Sequence, residues 1–399
     1  MAAGSLDGTA PGRGAALPNV YEDLARYPMN ITRRKTRRIY VGHVPIGDGA
    51  PIAVQSMTNT DTKDVVSTAR QIRRLERAGC EIVRLGVPDL DAAQALGRIR
   101  ERARIPLIAD IHFDHKLALE AIRQGVAGLR LNPGNIGSAQ KVRDVCRAAA
   151  EHGIPIRIGV NSGSIEKRLL RKYGGPTVEA MVESALSHVA ILEKEGFYDI
   201  KISLKATDVT KTIDAYRMLA AQVDYPLHVG ITEAGTLLPG AVKSAVGIGI
   251  LLAEGIGDTI RVSLSARPEH EVQAAFSILR ALGIRKRGVE VIACPTCART
   301  SIDVIGLAQK VERRLSHIAA PLQVAVMGCV VNGPGEAREA DVGIAGGKGM
   351  GIIFKKGASI GTYREEELLP ALLHEVELLT SAAPSRTGGA GREEPHSSL

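Results

Sequence analysis

A chain of 399 residues is too long for one ordinary domain, and with 45% apolar and 24% charged residues it has ample material for a core. Only 3% of the residues are aromatic and none is Trp, which leaves few platforms for stacking bases and argues against a nucleic-acid partner. The formal net charge of +8 favours anionic partners such as a phosphorylated small molecule, and no apolar run approaches a membrane span.

In chain order, Ala2 to Pro18 is rich in Gly, Ala and Pro, and residues 1–32 read as an unstructured extension. Met1 to Leu17 lacks the basic start and apolar segment of a secretory signal, so a cytoplasmic protein is expected. The basic run Arg33-Arg34-Lys35 with Arg37-Arg38 reads as a solvated face. Arg37–Pro51, with Gly47-Asp48-Gly49 inside it, predicts a hairpin. Eight β-rich runs follow, each trailed by a polar loop and an amphipathic helix: Pro51–Gln55, Glu81–Leu85, Pro106–Asp110, Gly128–Leu131, Pro155–Val160, Asp199–Leu204, Pro226–Ile231 and Thr259–Leu264. Val65, Val66, Ala69, Ile72 and Leu75 mark one helical stripe; Val142, Val145, Cys146 and Ala149 mark another. Gly79, Gly153, Gly196 and Gly255 are the expected left-handed stops. Eight such units predict an α/β fold, a closed (β/α)₈ TIM barrel spanning 33–284 with the hairpin capping its floor. No GxGxxG follows the first strand, which counts against an open doubly wound sheet.

After Gly283 the rhythm changes. Gly288–Ala293, Leu322–Val331, Asp341–Ala345 and Gly351–Phe354 read as strands, and Ser301–His317 and Glu365–Leu379 as helices. They predict a smaller α+β domain over 285–382, then an unstructured tail over 383–399.

Alternate residues of a strand face the same way. Arg130 and Asn132 therefore share a face, as do Arg157, Gly159 and Asn161, then Lys201, Ser203 and Lys205, then Gly230 and Thr232, then Arg261, Ser263 and Ser265. Arg84 and Asp110 lie near the ends of their own strands, where barrel enzymes place their sites. Six cations (Arg84, Arg130, Arg157, Lys201, Lys205 and Arg261) outnumber the nearby acids Asp89, Asp110 and Glu233. Internal ion pairing cannot balance them, and a phosphate or diphosphate ligand would. The turns Asn132-Pro133-Gly134-Asn135 and Asn161-Ser162-Gly163-Ser164 offer backbone N–H donors for the same oxygens. Glu233 follows the seventh strand; it is either a proton donor once a substrate phosphate arrives or an acid drawn to a helix N-terminus. His112 and His228, also near strand ends, read as structural.

Five cysteines in a cytosolic chain are not a disulfide framework. Cys80 and Cys146 fall on helix positions where packing explains them. Cys294-Pro-Thr-Cys297 sits at a strand end, and Cys329 lies in Met327-Gly-Cys-Val-Val-Asn-Gly-Pro-Gly-Glu336. Three thiolates suit zinc if His317 completes the set, although it ends a helix. They suit a cubane iron–sulfur cluster if Glu336, placed after a Gly-Pro-Gly turn, is the fourth ligand. A thioredoxin-type pair lacks the surrounding pattern.

Several long motifs then occur together: Pro51-Ile-Ala-Val-Gln-Ser-Met-Thr-Asn-Thr60, Ala109-Asp-Ile-His-Phe-Asp114, Leu129-Arg-Leu-Asn-Pro-Gly-Asn135, Ile158-Gly-Val-Asn-Ser-Gly163, Cys294-Pro-Thr-Cys-Ala-Arg299 and Gly328-Cys-Val-Val-Asn-Gly-Pro-Gly-Glu336. From about Arg33 to Leu379 the chain resembles the bacterial 4-hydroxy-3-methylbut-2-enyl diphosphate synthases of the methylerythritol phosphate route to isoprenoids. The resemblance implies a TIM barrel that binds 2-C-methyl-D-erythritol 2,4-cyclodiphosphate and a C-terminal domain with one 4Fe–4S cluster. It implies Cys294, Cys297, Cys329 and Glu336 as cluster ligands; a hard carboxylate is a weaker, more exchangeable ligand than thiolate, so Glu336 is expected to give way to a substrate oxygen. It also implies Arg84, Arg130, Arg157, Asn161, Lys205, Arg261 and Ser263 as substrate-binding residues, and Glu233 with Glu336 as catalytic ones. Flavodoxin or ferredoxin is the implied electron donor, and a homodimer is implied in which each cluster domain closes on the partner's barrel.

Overall fold

The computed structural model describes residues 31–329, 335 and 337–381; the expected tail 383–399, all but the last two residues of the expected extension 1–32, and Val330, Val331 and Glu336 lie outside them. Strands β1 (Ile39–Val41) and β2 (Val44–Ile46) form the expected hairpin, pairing Ile39 with Ile46. The barrel strands are β3 (Ala53–Met57), β4 (Ile82–Gly86), β5 (Leu107–Asp110), β6 (Gly128–Arg130), β7 (Ile156–Asn161), β8 (Ile200–Lys205), β9 (His228–Val229) and β10 (Thr259–Ile260). All pair in parallel in the order β8-β7-β6-β5-β4-β3-β10-β9, and a parallel bridge from Ile202 to Leu227 joins β8 to β9. The first strand sits two residues later than the sequence pattern suggests, and the last two are only two residues long.

Besides two short helices, Pro133–Ile136 and Lys167–Tyr173, eight longer ones wrap the sheet: α1 (Val65–Ala78), α2 (Leu90–Arg100), α3 (His115–Arg123), α4 (Ala139–Glu151), α5 (Val178–Lys194), α6 (Val209–Ala220), α7 (Leu237–Ala253) and α8 (Pro268–Ala281). Their inner stripes set their positions. In α1, Val65, Thr68, Ala69, Gln71, Ile72 and Leu75 are buried, while Val66, expected on that stripe, points to solvent. Asp64 caps the first turn of α1 by accepting from the Ser67 amide, and Gly79 ends it at φ 100°, a left-handed conformation that favours glycine.

Under the floor the hairpin buries Ile39, Val41 and Ile46 against Ala53, Ile82 and Ile108. In the basic run beside it Lys35, Arg37 and Arg38 are exposed, as expected of a solvated face, but Arg33 and Arg34 are not. Arg33 pairs with Asp258 at 2.9 Å, and Arg34 donates to the carbonyls of Val223 and Tyr225. Arg37 pairs with Asp224 at 2.8 Å and lies over the Tyr225 ring. Cations are drawn here because strand starts and helix C-terminal ends expose carbonyl groups.

The second domain has β11 (Val289–Ala293), α9 (Val304–Leu315), β12 (Leu322–Met327), β13 (Val342–Gly346), β14 (Met350–Lys355), β15 (Ala358–Arg364) and α10 (Glu365–Ser381). Its sheet runs β11-β12-β13-β14-β15, the first three parallel and the last two antiparallel. Leu315, Val324, Ile344, Leu368 and Leu372 centre its core. The linker is anchored at the barrel floor, where Arg285 donates to the Ile52 carbonyl at 2.7 Å and to both oxygens of Glu81 at 2.8 Å. The small domain meets that floor with the start of β11. Gly288–Val291 and His317–Ala319 share a cavity of about 710 Å³ with Arg77 and Ala78 at the end of α1 and with Phe276, Ser277 and Arg280 of α8. No described helix is long and apolar enough to cross a membrane.

Candidate active site

Parallel pairing fixes which residues meet inside the barrel, because register partners point to the same side and alternate strands fill each layer. Following the register, the floor layer is Ile82, Gly128, Lys201 and Thr259. Gln55, Ile108, Arg157 and His228 lie above it, then Arg84, Arg130, Ser203 and Arg261. Met57, Asp110, Gly159 and Gly230 come next, with Gly86, Asn132, Lys205 and Ser263 at the mouth. Barrel interiors are ordinarily filled by branched aliphatic side chains. This one is polar from floor to mouth.

Asp110 is the anionic hub. It lies 3.4 Å from Arg84 and 3.2 Å from Arg130. Burial pushes its carboxyl up, but Arg84, Arg130 and Arg157 together hold it below the usual value. Arg130 also donates to the Gly159 carbonyl at 3.0 Å, and Arg157 donates to Ser203 Oγ at 2.6 Å. Glycine at two positions admits these heads to the axis. A Cβ on Gly159 would stand 2.8 Å from Arg130 Nε, and one on Gly230 would stand 2.4 Å from the Arg261 carbonyl and 2.9 Å from Lys205 Nζ.

One lining acid escaped the sequence. Glu271, in the first turn of α8, turns inward, accepts from Ser56 Oγ at 3.0 Å and pairs with Arg261 at 3.5 Å. Its position against the buried Val272, Ala275 and Leu279 was the available signal. Asp89 drops out of the lining; it caps α2 and pairs at the surface with Lys63. The surplus of cations remains after this exchange. Arg84 Nη2 and Arg261 Nη1 are left aimed at the Met57 sulfur, at 3.0 and 3.7 Å, a weak acceptor where an oxyanion would be a strong one.

The remaining predicted residues gather at the mouth. Lys205 Nζ lies 3.4 Å from His228 Nε2, and His228 Nδ1 lies 2.8 Å from Thr259 Oγ1. His228 is thus part of the lining rather than a bystander. Burial first, and surrounding cations second, push both Lys205 and His228 well below their ordinary values. Burial likewise lowers Arg84, to about 10. Asn161 ends β7 and its side chain caps the Ser162–Ser164 turn, and Ser263 sits half-buried beyond Arg261. Glu233 is exposed beyond β9 and accepts from Thr207 Oγ1 at 3.0 Å. It lies before Thr236, the cap of α7, so the helix-terminus reading does not account for it. Its φ of 51° is a strained setting for a non-glycine residue, of the kind that clusters at functional sites.

In the small domain Cys294 follows β11 and Cys329 follows β12, neighbouring parallel strands. The Gly328 amide donates to Cys294 Sγ at 3.1 Å. Cys297 is exposed, and the Arg299 backbone amide holds its thiol below the ordinary value. No disulfide joins the five cysteines. Thiols at adjacent strand ends, with backbone amides donating to sulfur, are a donor set that fits an iron–sulfur cluster. Among the described residues no three metal-ligating side chains stand close enough to hold an ion, and Glu336 is not among them. His317 lies by the start of β11, whereas Cys294 follows its end, so His317 does not complete a zinc set. Cys80 and Cys146 are buried, with thiols pushed up to about 12 and about 11 by that burial, as packing residues should be.

Fold and site together define a (β/α)₈ barrel with a surplus of buried cations, joined to a cysteine-bearing α+β domain. The chain belongs to the GcpE family: the GcpE TIM-barrel domain matches residues 36–276 and the GcpE protein C-terminal domain matches residues 290–378. It is 60% identical over 346 residues to the 4-hydroxy-3-methylbut-2-en-1-yl diphosphate synthase (flavodoxin) of Thermodesulfovibrio yellowstonii, covering 87% of this chain and 99% of that one. To the enzyme of the same name from Geobacter sulfurreducens it is 61% identical over 345 residues, covering 86% and 98%. The resemblance carried by the motifs is borne out, as is the two-part fold.

Proposed function

We infer that the chain catalyses the reductive ring opening of 2-C-methyl-D-erythritol 2,4-cyclodiphosphate to (E)-4-hydroxy-3-methylbut-2-enyl diphosphate, a step of isoprenoid precursor synthesis. The observation that carries this reading is the surplus of buried cations around the barrel axis, in a chain that spans nearly the whole length of relatives named for that product. The reaction breaks the bond from C2 to its phosphate oxygen, expels the neighbouring hydroxyl as water, and takes in two electrons and two protons.

Residues 33–284 form the substrate domain and 285–382 the cluster domain in this reading. Arg84, Arg130, Arg157, Lys205 and Arg261 bind the two phosphoryl groups, with Asn161 and Ser263 at the rim. Asp110 and Glu271 hold the guanidinium planes in place. Glu233, kept at the mouth by Thr207, holds the proton that the leaving hydroxide needs. Cys294, Cys297, Cys329 and Glu336 would ligate a 4Fe–4S cluster, which when bound supplies single electrons drawn from flavodoxin or ferredoxin. We put the reaction in the cytoplasm, where cysteines remain reduced.

The same reading makes the protein a homodimer with each cluster domain over the partner's barrel. The tether supports it: the linker leaves from the barrel floor and the cysteines stand at the far end of β11 and β12, away from their own barrel's mouth. The outer face of α7 supports it too. Leu238, Val242, Val246 and Ile250 are exposed at four-residue steps and form an apolar stripe that a partner would cover.

The test is anaerobic purification with a visible spectrum, metal and sulfide analysis, and turnover of the cyclic diphosphate under reductant. A brown protein with about four irons per chain that consumes the substrate supports the reading. A colourless protein with stoichiometric zinc, inactive after iron–sulfur reconstitution, overturns it.

A further inference from the structure

The floor of the barrel holds a cation with nothing to bind. Lys201 is 1% exposed, and its ammonium has no hydrogen-bond partner among the described residues. An ammonium presents three donors, and leaving them unmet in a buried place strongly disfavours the charged form. Its neighbours do not help. Arg157, its register partner on β7, is a second buried cation whose Nε and Nη2 also lack acceptors. Gln55, in the layer above, has neither amide oxygen nor nitrogen engaged. His228 and Thr259 are committed to each other at 2.8 Å, and Arg84 adds a further positive charge from above. The acid that acts on Lys201 is Asp258, which already accepts from Arg33, Thr36 and the Leu227 amide.

We propose that Lys201 is a proton reserve at the barrel floor: largely uncharged at mildly alkaline pH in the unliganded barrel, it takes up a proton when a diphosphate enters the chamber above, so that substrate binding and proton uptake are one event. The inference rests on the reading of the barrel as the cyclic-diphosphate site and adds a residue that touches no substrate. An incoming diphosphate offsets the guanidinium charges that oppose protonation and adds an attraction of its own. At roughly 10 Å and an effective dielectric of about 20, each unit of negative charge shifts a buried lysine by about one pH unit. Burial first, and Arg157 second, bring the Lys201 ammonium down to about 7, within reach of such a shift at working pH. Lys205 and His228 also respond to the ligand, so only a variant at Lys201 isolates its share.

The experiment is calorimetric titration of the oxidised holoenzyme with the cyclic diphosphate at about pH 8, in buffers of different ionisation enthalpy, where the slope counts protons taken up. Wild type should show net uptake, and Lys201→Met should bind with a slope smaller by a large fraction of one proton. Equal slopes for wild type and Lys201→Met overturn the proposal. Should the Met variant fold poorly, Lys201→Gln serves instead. Independently of any variant, a wild-type slope near zero overturns it. Absence of any saturable binding heat in wild type would remove the substrate reading itself, and this inference with it.

Discussion

Arg157 illustrates a side chain kept for its ligand rather than for the fold. It is 3% exposed, has one neutral partner in Ser203, and leaves two donor nitrogens without acceptors among the described residues. Burying a cation on those terms costs stability. Arg157→Met should therefore raise the melting temperature while raising KM for the cyclic diphosphate about 10- to 100-fold, the size of one lost charge-assisted bond. A lower melting temperature with KM unchanged would make Arg157 structural. Lys201 gives the same argument a pH axis. Its folded value of about 7 lies below the ordinary 10.5, so between those values the unfolded chain binds more protons and stability rises with pH. Below pH 7 both states are protonated and the contribution is flat. For this one residue the slope approaches ~1.4 kcal/mol per pH unit. Urea midpoints measured from pH 7 to 10 should climb less steeply in Lys201→Met than in wild type.

Helix α7 shows how one element serves two surfaces. Its inner face buries Gly247, Ile248, Leu251 and Leu252, and its outer face presents Leu238, Val242, Val246 and Ile250. On the inner face, Gly247→Ala gains about 1 kcal/mol of helix propensity. Its Cβ would stand 2.5 Å from Ile231 Cδ1, and overpacking of that kind costs about 1–3 kcal/mol. A lower urea midpoint is expected. On the outer face, Val242→Asp should leave the fold intact and halve the mass in sedimentation; an unchanged mass would free α7 from any role in assembly. The rest of the architecture was legible to a similar depth. Strands buried on both faces leave continuous apolar runs, so all eight could be read, and their inward polar residues recur at period two, which exposed most of the lining. Glu271 was hidden because an acid in a helix's first turn already has a local reason to be there; only packing against β3 and β10 gives it another. Arg33 and Arg34 read as solvated because Arg34 and part of the Arg33 guanidinium bind backbone carbonyls, which leave no mark in a sequence. Strand β15 was missed for the opposite reason: it is a largely exposed edge and carries no apolar alternation.

In the proposed reading each half of the molecule holds part of the site, and their joining point decides how the two halves can meet. The linker residue Arg285 is fixed to Ile52 and Glu81 at the barrel floor, while Arg84, Lys205 and Glu233 open at the other end. In the proposed reading the cysteines and the substrate chamber of one chain therefore sit at opposite ends of the barrel, and electrons cross between chains. A heterodimer separates this arrangement from its alternative. One subunit carries Arg157→Met and the other Cys297→Ser, with different affinity tags so that the mixed dimer can be isolated. Assayed at substrate well below KM, either homodimer of variants should be nearly inactive. If the site is shared, the mixed dimer pairs one intact barrel with one intact cysteine domain and should retain about half the wild-type rate, because a two-fold dimer has two such pairings and one survives. If each chain works alone, both pairings are broken and the mixed dimer should be as inactive as its parents.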